Sequence, residues 1–310
     1  MRSCPKRLLT FSLLLLFAQH VRGQSARTGV PPPSSSRTTD RSTFRLWKTR
    51  KSPSDLEVGG DLAGLPRGVT RYIAREDLLT LPQVTFNVTD DTNFAPGTAV
   101  SGVRLEELAK QIAATPDQDM GVAVCDDKYR ANYPRSYVAA HHPVLVLNVN
   151  GQAPAGWPKD SQEHKYDMGP YMISHDYFIP GFKILSHADE PQIPWGVVRI
   201  EFRNEQSVFS SIEPHGANAK DEAIQAGNRI ARQNCFRCHN SGREGGQKSG
   251  IDWQTLGDLA ALSPKWFGEY IRNPKSKKAD SQMQEDPAYD DATLNALAAY
   301  FKTFREPAKP

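Results

Sequence analysis

The pentapeptide Cys235-Phe236-Arg237-Cys238-His239 restricts this chain more than any other stretch of its 310 residues. Two thiols separated by two residues can form thioether bonds to the two vinyl groups of one haem, and the histidine that follows is placed beneath the iron as its proximal ligand. A segment built this way folds around a prosthetic group. A zinc pair would need two more ligands at short spacing, and there is no second Cys-x-x-Cys. A redox dithiol belongs in a βαβ setting, whereas the surrounding sequence is helical.

The sixth iron ligand has to come from elsewhere. Met283 lies in the polar stretch KSKKADSQMQED, where an apolar side chain has no core face to join. A thioether on haem iron raises the reduction potential and closes the coordination sphere, which suits electron transfer. His215 is the competitor, as a bis-histidine partner. After Pro214 the strand signals stop, and helical patterns run over Asp221–Gln233, from Pro264 through Ile271, and over Asp291–Phe304.

With these features, residues 216–310 resemble the class I cytochrome c family, and the resemblance covers nearly the whole segment. It takes in Cys235, Cys238, His239 and Met283, and also Gly227 in the first helix with Leu297 and Tyr300 in the last. It implies that the first and last helices cross closely at Gly227, and that haem is ligated by His239 and Met283. Family members commonly carry proline directly after the ligand methionine; here the residue is Gln284. Trp253, Trp266 and Tyr270 are candidate walls of the haem pocket or ordinary core. Lys275, Lys277 and Lys278 form a basic cluster on the methionine side, either a solvated face or a surface that steers an acidic partner.

The other end of the chain bears on compartment. Arg2, Lys6 and Arg7 precede the apolar run Leu8–Ala18, which ends in a polar stretch at Gly23. That run is too short to span a bilayer, which takes about 20 residues, so residues 1–23 are expected to be an export signal and the protein periplasmic or secreted. Removing them turns the formal charge from +3 to −1, and Cys4 leaves with them. A near-neutral chain gives no support to nucleic-acid binding, and three remaining cysteines give none to a disulfide framework. Residues 24–60 read as a flexible basic leader of net charge +4; the segments 61–215 and 216–310 carry −7 and +2.

Between these ends, 61–213 mixes strand and helix patterns without a βαβ repeat, which predicts an α+β domain. Strands are expected at Gln83–Val88, Gly121–Cys125, Val144–Val149 and Trp195–Phe202, the last with Val198, Ile200 and Phe202 on one face. The segments LLTLPQVTFNV, SGVRLEELAKQI, VAVCDDKYRANYP, PVLVLNVNGQAP, MGPYMISH and WGVVRIEF resemble, in their order, the molybdopterin-binding domain of the sulfite oxidase superfamily. In that family a metal-bound cysteine precedes the segment matching SGVRL. Residues 84–101 contain no cysteine, so molybdopterin is not expected. Cys125 reads as a buried small hydrophobe or as a reactive thiol. Asp126, Asp127, Tyr129 and Arg130 read as a polar site or as a turn with a salt bridge. His141, His142, His164, His175 and His187 form no i, i+4 ligand pair.

The sequence therefore predicts an exported mono-haem cytochrome that transfers one electron at a time to unidentified redox partner proteins, without a catalytic residue. Two alternatives stay open. The α+β domain could hold a centre that oxidises a small substrate, or it could dock the cytochrome onto a partner oxidoreductase.

Overall fold

The computed structural model describes residues 45–88, 91, 93–112, 114–157, 167–176, 178 and 189–305. The predicted signal, most of the leader, His164 and His187 lie outside the described residues, which all belong to one compact unit, Thr43–Pro310.

The first part of the chain runs β1 (Leu56–Gly60), β2 (Arg71–Ile73), α1 (Arg75–Leu79), β3 (Val84–Asn87), β4 (Ala99–Arg104), α2 (Leu105–Gln111), β5 (Met120–Cys125), β6 (Arg130–Pro134), α3 (Arg135–His141), β7 (Val144–Val149), β8 (Tyr171–Ser174) and β9 (Trp195–Arg203). The strands form one mixed sheet, in which the path β2-β1-β9-β8-β7-β4-β3 is joined by β5, which pairs with both β9 and β6. β9 organises it. β1 runs parallel along its second half, β8 pairs with its start, and β5 lies along most of its length.

Two expectations need correction. The leader does not extend to residue 60: Leu56 and Val58 are fully buried in β1, and Trp47 exchanges backbone hydrogen bonds with Tyr72 at 2.8 and 2.9 Å. A five-residue strand is too short for its period to stand out from a basic neighbourhood. In β9, Val197 rather than Val198 joins Ile200 and Phe202 in the core. The ladder shifts register between Val124 and Cys125, which leaves Val198 as the extra residue of a bulge.

The second part is helical: α4 (Glu205–Phe209), α5 (Glu222–Asn234), α6 (Trp253–Leu262), α7 (Pro264–Arg272), α8 (Pro274–Lys277) and α9 (Asp291–Lys302). Helical period finds α5, α7 and α9 in the sequence, whereas α6 escapes it. Its start is written in Asp252, whose side chain accepts the Thr255 N–H at 2.9 Å, and Pro264 opens the next helix.

The two parts share a core. Met120 and Val122 on β5 are buried in the same apolar cluster as Phe209, Phe236, Trp253 and Phe301. Burying two such side chains is worth roughly 2 kcal/mol each before entropy is counted. The helical lobe is thus seated on one face of the sheet and is not tethered beside it.

Candidate haem site

α5 delivers the motif. Its buried face carries Ile224, Gly227, Ile230 and Ala231, and it crosses α9 at Gly227. A Cβ there would stand 2.2 Å from the Ala296 carbonyl oxygen and 2.6 Å from Tyr300 Cβ, so only glycine permits this approach. The expectation of a close first–last helix crossing holds. Tyr300 Oη donates to the Ile212 carbonyl at 2.5 Å and accepts from Trp253 Nε1 at 3.2 Å, which ties α9, α6 and the entry to the helical lobe together.

Past Asn234 the chain continues in one further turn. Cys235 N–H bonds the Ala231 carbonyl at 3.0 Å, and His239 N–H bonds the Cys235 carbonyl at 3.0 Å. Spacings of three and four residues in such a turn put Cys235, Cys238 and His239 on one side. His239 Nδ1 bonds the Ile251 carbonyl at 2.7 Å. That bond fixes the ring and, with Nδ1–H as donor, leaves the Nε2 lone pair for a metal. Burial lowers the His239 pKa, which favours the neutral, ligating imidazole. Burial also raises the pKa of both Cys235 and Cys238, so both are thiols at neutral pH. Cys235 and Met283 border the same apolar cluster. Two thiols, an oriented neutral imidazole and a thioether on the rim of an apolar core are the donor set that a covalently held haem requires, and these residues fit it.

A glycine pair supports the turn. Gly245 has φ +87° and no room for a side chain against the Phe236 ring, and a Cβ on Gly246 would stand 1.7 Å from the Arg237 carbonyl oxygen. This lets Gly246 N–H reach the Phe236 carbonyl at 2.9 Å. The adjacent glycines six and seven residues past His239 were the available sequence signal for it.

The sheet lobe grips the same turn. Arg130 N–H donates to the Arg237 carbonyl at 2.9 Å, and Gln247 N–H to the Lys128 carbonyl at 3.0 Å. Lys248 Nζ pairs with Asp127 at 2.5 Å, and Arg203 bonds Glu244 at 2.6 Å. Of the two readings of Asp126–Arg130, the turn with a salt bridge is the one found, and its partner is the segment that carries and follows the Cys235–His239 turn. Cys125 is buried in the sheet core with its pKa pushed well up by burial, the behaviour of an inert hydrophobe. Beside the turn, burial, with Glu190 adding to it and Arg237 opposing, pushes the Asp286 carboxyl up to about 7.

Arg130 is the keystone of this contact. Its guanidinium donates to the Gly245 carbonyl at 3.2 Å and stands 3.5 Å from Glu244 and 3.8 Å from Glu201. Arg203 also pairs with both acids, so removing Arg130 leaves them partly compensated. Arg130→Met is expected to cost about 2 kcal/mol in chemical denaturation, below the 3–5 kcal/mol typical of stripping a buried ion pair of one partner.

The remaining predicted residues fall as follows. His215 is exposed, its ring edge-on to Phe304 at 4.9 Å. Trp253 is core, with its ring against Phe236, Phe301 and Phe304. Trp266 stacks on Tyr270 at 4.8 Å and is 39% exposed. Lys277 pairs with Glu269 at 2.7 Å and Lys278 approaches Asp280 at 4.0 Å, while Lys275 is exposed. His141 bonds Asp189, His142 bonds Glu106, and His175 bonds Tyr137 at 3.0 Å. Among the described residues no group of three or more His, Cys, Asp or Glu could hold a metal ion.

His175 carries a pH prediction. Burial, with His141 adding to it, lowers its pKa from 6.5 to about 3. In the unfolded chain it takes up a proton as pH drops through 6.5, and in the folded chain only near 3. Its contribution to stability is therefore full above 6.5 and is lost as pH falls, at about 1.4 kcal/mol per unit. His175→Gln is expected to flatten the denaturation free energy between pH 6 and 4 by about that slope.

Residues 222–301 match the family model described as cytochrome C oxidase, cbb3-type, subunit III. The helical lobe is a cytochrome c domain, following a mixed α/β sheet region. No curated protein matches the chain. Among solved structures it is similar to the sulfane dehydrogenase SoxCD from Paracoccus pantotrophus, at 14% identity and a TM-score of 0.31, over 56% of this chain and 45% of that one. The chain thus spans less than half the length of that structure. No described helix is long and apolar enough to cross a membrane.

Proposed function

We propose that this chain is an exported mono-haem c-type cytochrome. Cys235 and Cys238 attach the haem, His239 is its proximal ligand, Met283 its distal ligand, and redox partner proteins exchange one electron at a time with it. The observation that carries the reading is the His239 Nδ1 bond to the Ile251 carbonyl, which holds the imidazole of the Cys-x-x-Cys-His turn with Nε2 available. When bound, haem supplies the one-electron couple. The chain fixes the imidazole, keeps both thiols unionised until they are attached, and offers a neutral thioether from a loop that borders the apolar core.

The sheet lobe serves in this reading as a rigid platform. Its β5–β6 turn holds the haem-attachment segment through backbone hydrogen bonds and ion pairs, which supports a structural role for this lobe within the chain. Its only described thiol, Cys125, is buried and unionised, and residues 84–101 offer no cysteine. The residues at hand do not fit a thiolate-held molybdenum. The test is a visible and far-red spectrum with metal analysis of the protein from a host that attaches haem. Iron at one per chain, a sulfur-to-iron charge-transfer band in the ferric form and no molybdenum are expected. A bis-histidine spectrum would overturn the Met283 assignment, and stoichiometric molybdenum the platform role.

A further inference from the structure

We infer that the outer rim of the sheet, built by Arg45, Trp47, Lys48 and Lys51, docks the protein on an anionic phospholipid bilayer; the inference rests on the proposed export, which brings this rim to a membrane face. The rim lies outside β2. Trp47 exchanges backbone hydrogen bonds with Tyr72 at 2.8 and 2.9 Å, so the chain around it extends the sheet past its β2 edge. The buried Asp55 carboxylate fixes the turn that follows, accepting the Lys51 and Ser52 N–H groups at 2.7 and 3.0 Å. The cations of the rim are thus set on ordered backbone.

Arg45 Cζ stands 4.2 Å and Lys51 Nζ 3.2 Å from the centre of the Trp47 ring, which gathers two positive charges at one indole. Arg50 pairs with Glu57 at 3.5 Å, whereas the exposed Arg45, Lys48 and Lys51 have no carboxylate partner among the described residues. Elsewhere in the lobe Arg67, Arg130, Arg199 and Arg203 each have one. Two cations on one ring repel each other, and an anion between them relieves that repulsion. The buried Trp47 Nε1–H also lacks an acceptor, a cost that an incoming oxygen would remove. The phosphodiesters of a bilayer surface offer that charge and those oxygens in a flat array, at the depth where tryptophan and tyrosine rings sit well. Charge along the chain points the same way. Residues 24–60 carry +4 and residues 61–215 carry −7, so an anionic surface attracts this edge and repels the rest of the lobe. The helical lobe rests on β5, which β9, β1 and β2 separate from the rim. Docking here leaves the Cys235–His239 turn free for a redox partner.

The test is co-sedimentation of the purified, haem-loaded protein with vesicles of phosphatidylglycerol and phosphatidylcholine in equal parts, against vesicles of phosphatidylcholine alone. Binding to the anionic vesicles that falls steeply with added salt is expected, and none to the neutral ones. Arg45→Ser/Lys48→Ser/Lys51→Ser should weaken the binding about a hundredfold, the scale of three cations lost at such a surface, and Trp47→Phe severalfold. Lys220→Ser/Lys275→Ser/Lys302→Ser removes the same charge from exposed positions of the helical lobe and should keep the parent's binding. No binding to the anionic vesicles, or an equal loss in the two triple variants, would overturn the inference and leave the cytochrome reading intact. Salt-insensitive binding to both kinds of vesicle would also overturn it, since an apolar segment and not the rim would then hold the membrane. Recovery of the protein in the cytoplasmic fraction of its host would overturn the export reading, and the inference with it, whatever the vesicles show.

Discussion

The double variant Cys235→Ala/Cys238→Ala is expected to lose all covalently held haem. Intact mass under denaturing conditions should equal the polypeptide alone, whereas the unsubstituted chain should carry one haem. The expectation follows from the turn geometry, since the two thiols share one side with His239 and no other described cysteine lies on that turn. Each single variant should keep one thioether and a stained band on a denaturing gel. His239→Ala separates attachment from ligation: both thiols remain, but the oriented imidazole does not, so any haem retained should show an altered axial spectrum. Covalent haem persisting in the double variant would contradict the site.

Gly227→Val should be the most damaging single substitution in the helical core. A Cβ at this position meets a backbone carbonyl oxygen at 2.2 Å, and backbone cannot move aside as a flexible side chain can. Separating α5 from α9 also strains the Trp253–Tyr300–Ile212 hydrogen-bond chain that joins α9, α6 and the start of the helical lobe. A loss of at least about 3 kcal/mol is expected, the upper end for overpacking a close-packed interior, together with reduced haem content in the expressed protein. Gly227→Ala should fall in the same direction, since even one methyl group is too close. Thermal unfolding followed by far-ultraviolet circular dichroism reads the effect. A melting temperature within a degree or two of the parent would contradict the crossing.

Local chemistry was legible in the sequence, and long-range assembly was not. The Cys-x-x-Cys-His motif, Gly227, Tyr300 and the three amphipathic helices could be read because each is a short-range pattern with one physical cause. α6 escaped because Leu259, Ala261 and Leu262 add apolar residues off the buried stripe of Trp253, Leu256 and Ala260 and blur its period, although Asp252 and Thr255 spell its cap. β1 escaped because its partner, β9, lies some 140 residues away in sequence. The bulge at Val198 depends on how β5 and β9 meet, which alternation within β9 cannot reveal. Most hidden of all was the seating of the helical lobe on the sheet. Met120 and Val122 look like any strand residues, and Arg130 like any surface arginine, until Phe236, Gly245 and Glu244 are placed against them. The charge contrast between a −7 segment and a +2 segment is met partly inside the molecule, through Lys248 with Asp127 and Arg237 with Glu190.

The central claim is that one haem is bound through two thioethers at the Cys235–His239 turn. The alkaline pyridine haemochrome spectrum of the purified full-length protein, made in a host that attaches haem, measures it most directly. The account predicts a reduced spectrum with the band position of a haem whose two vinyl groups are both saturated, at one haem per chain. A spectrum of unmodified haem, or no haem after export and purification, would contradict it.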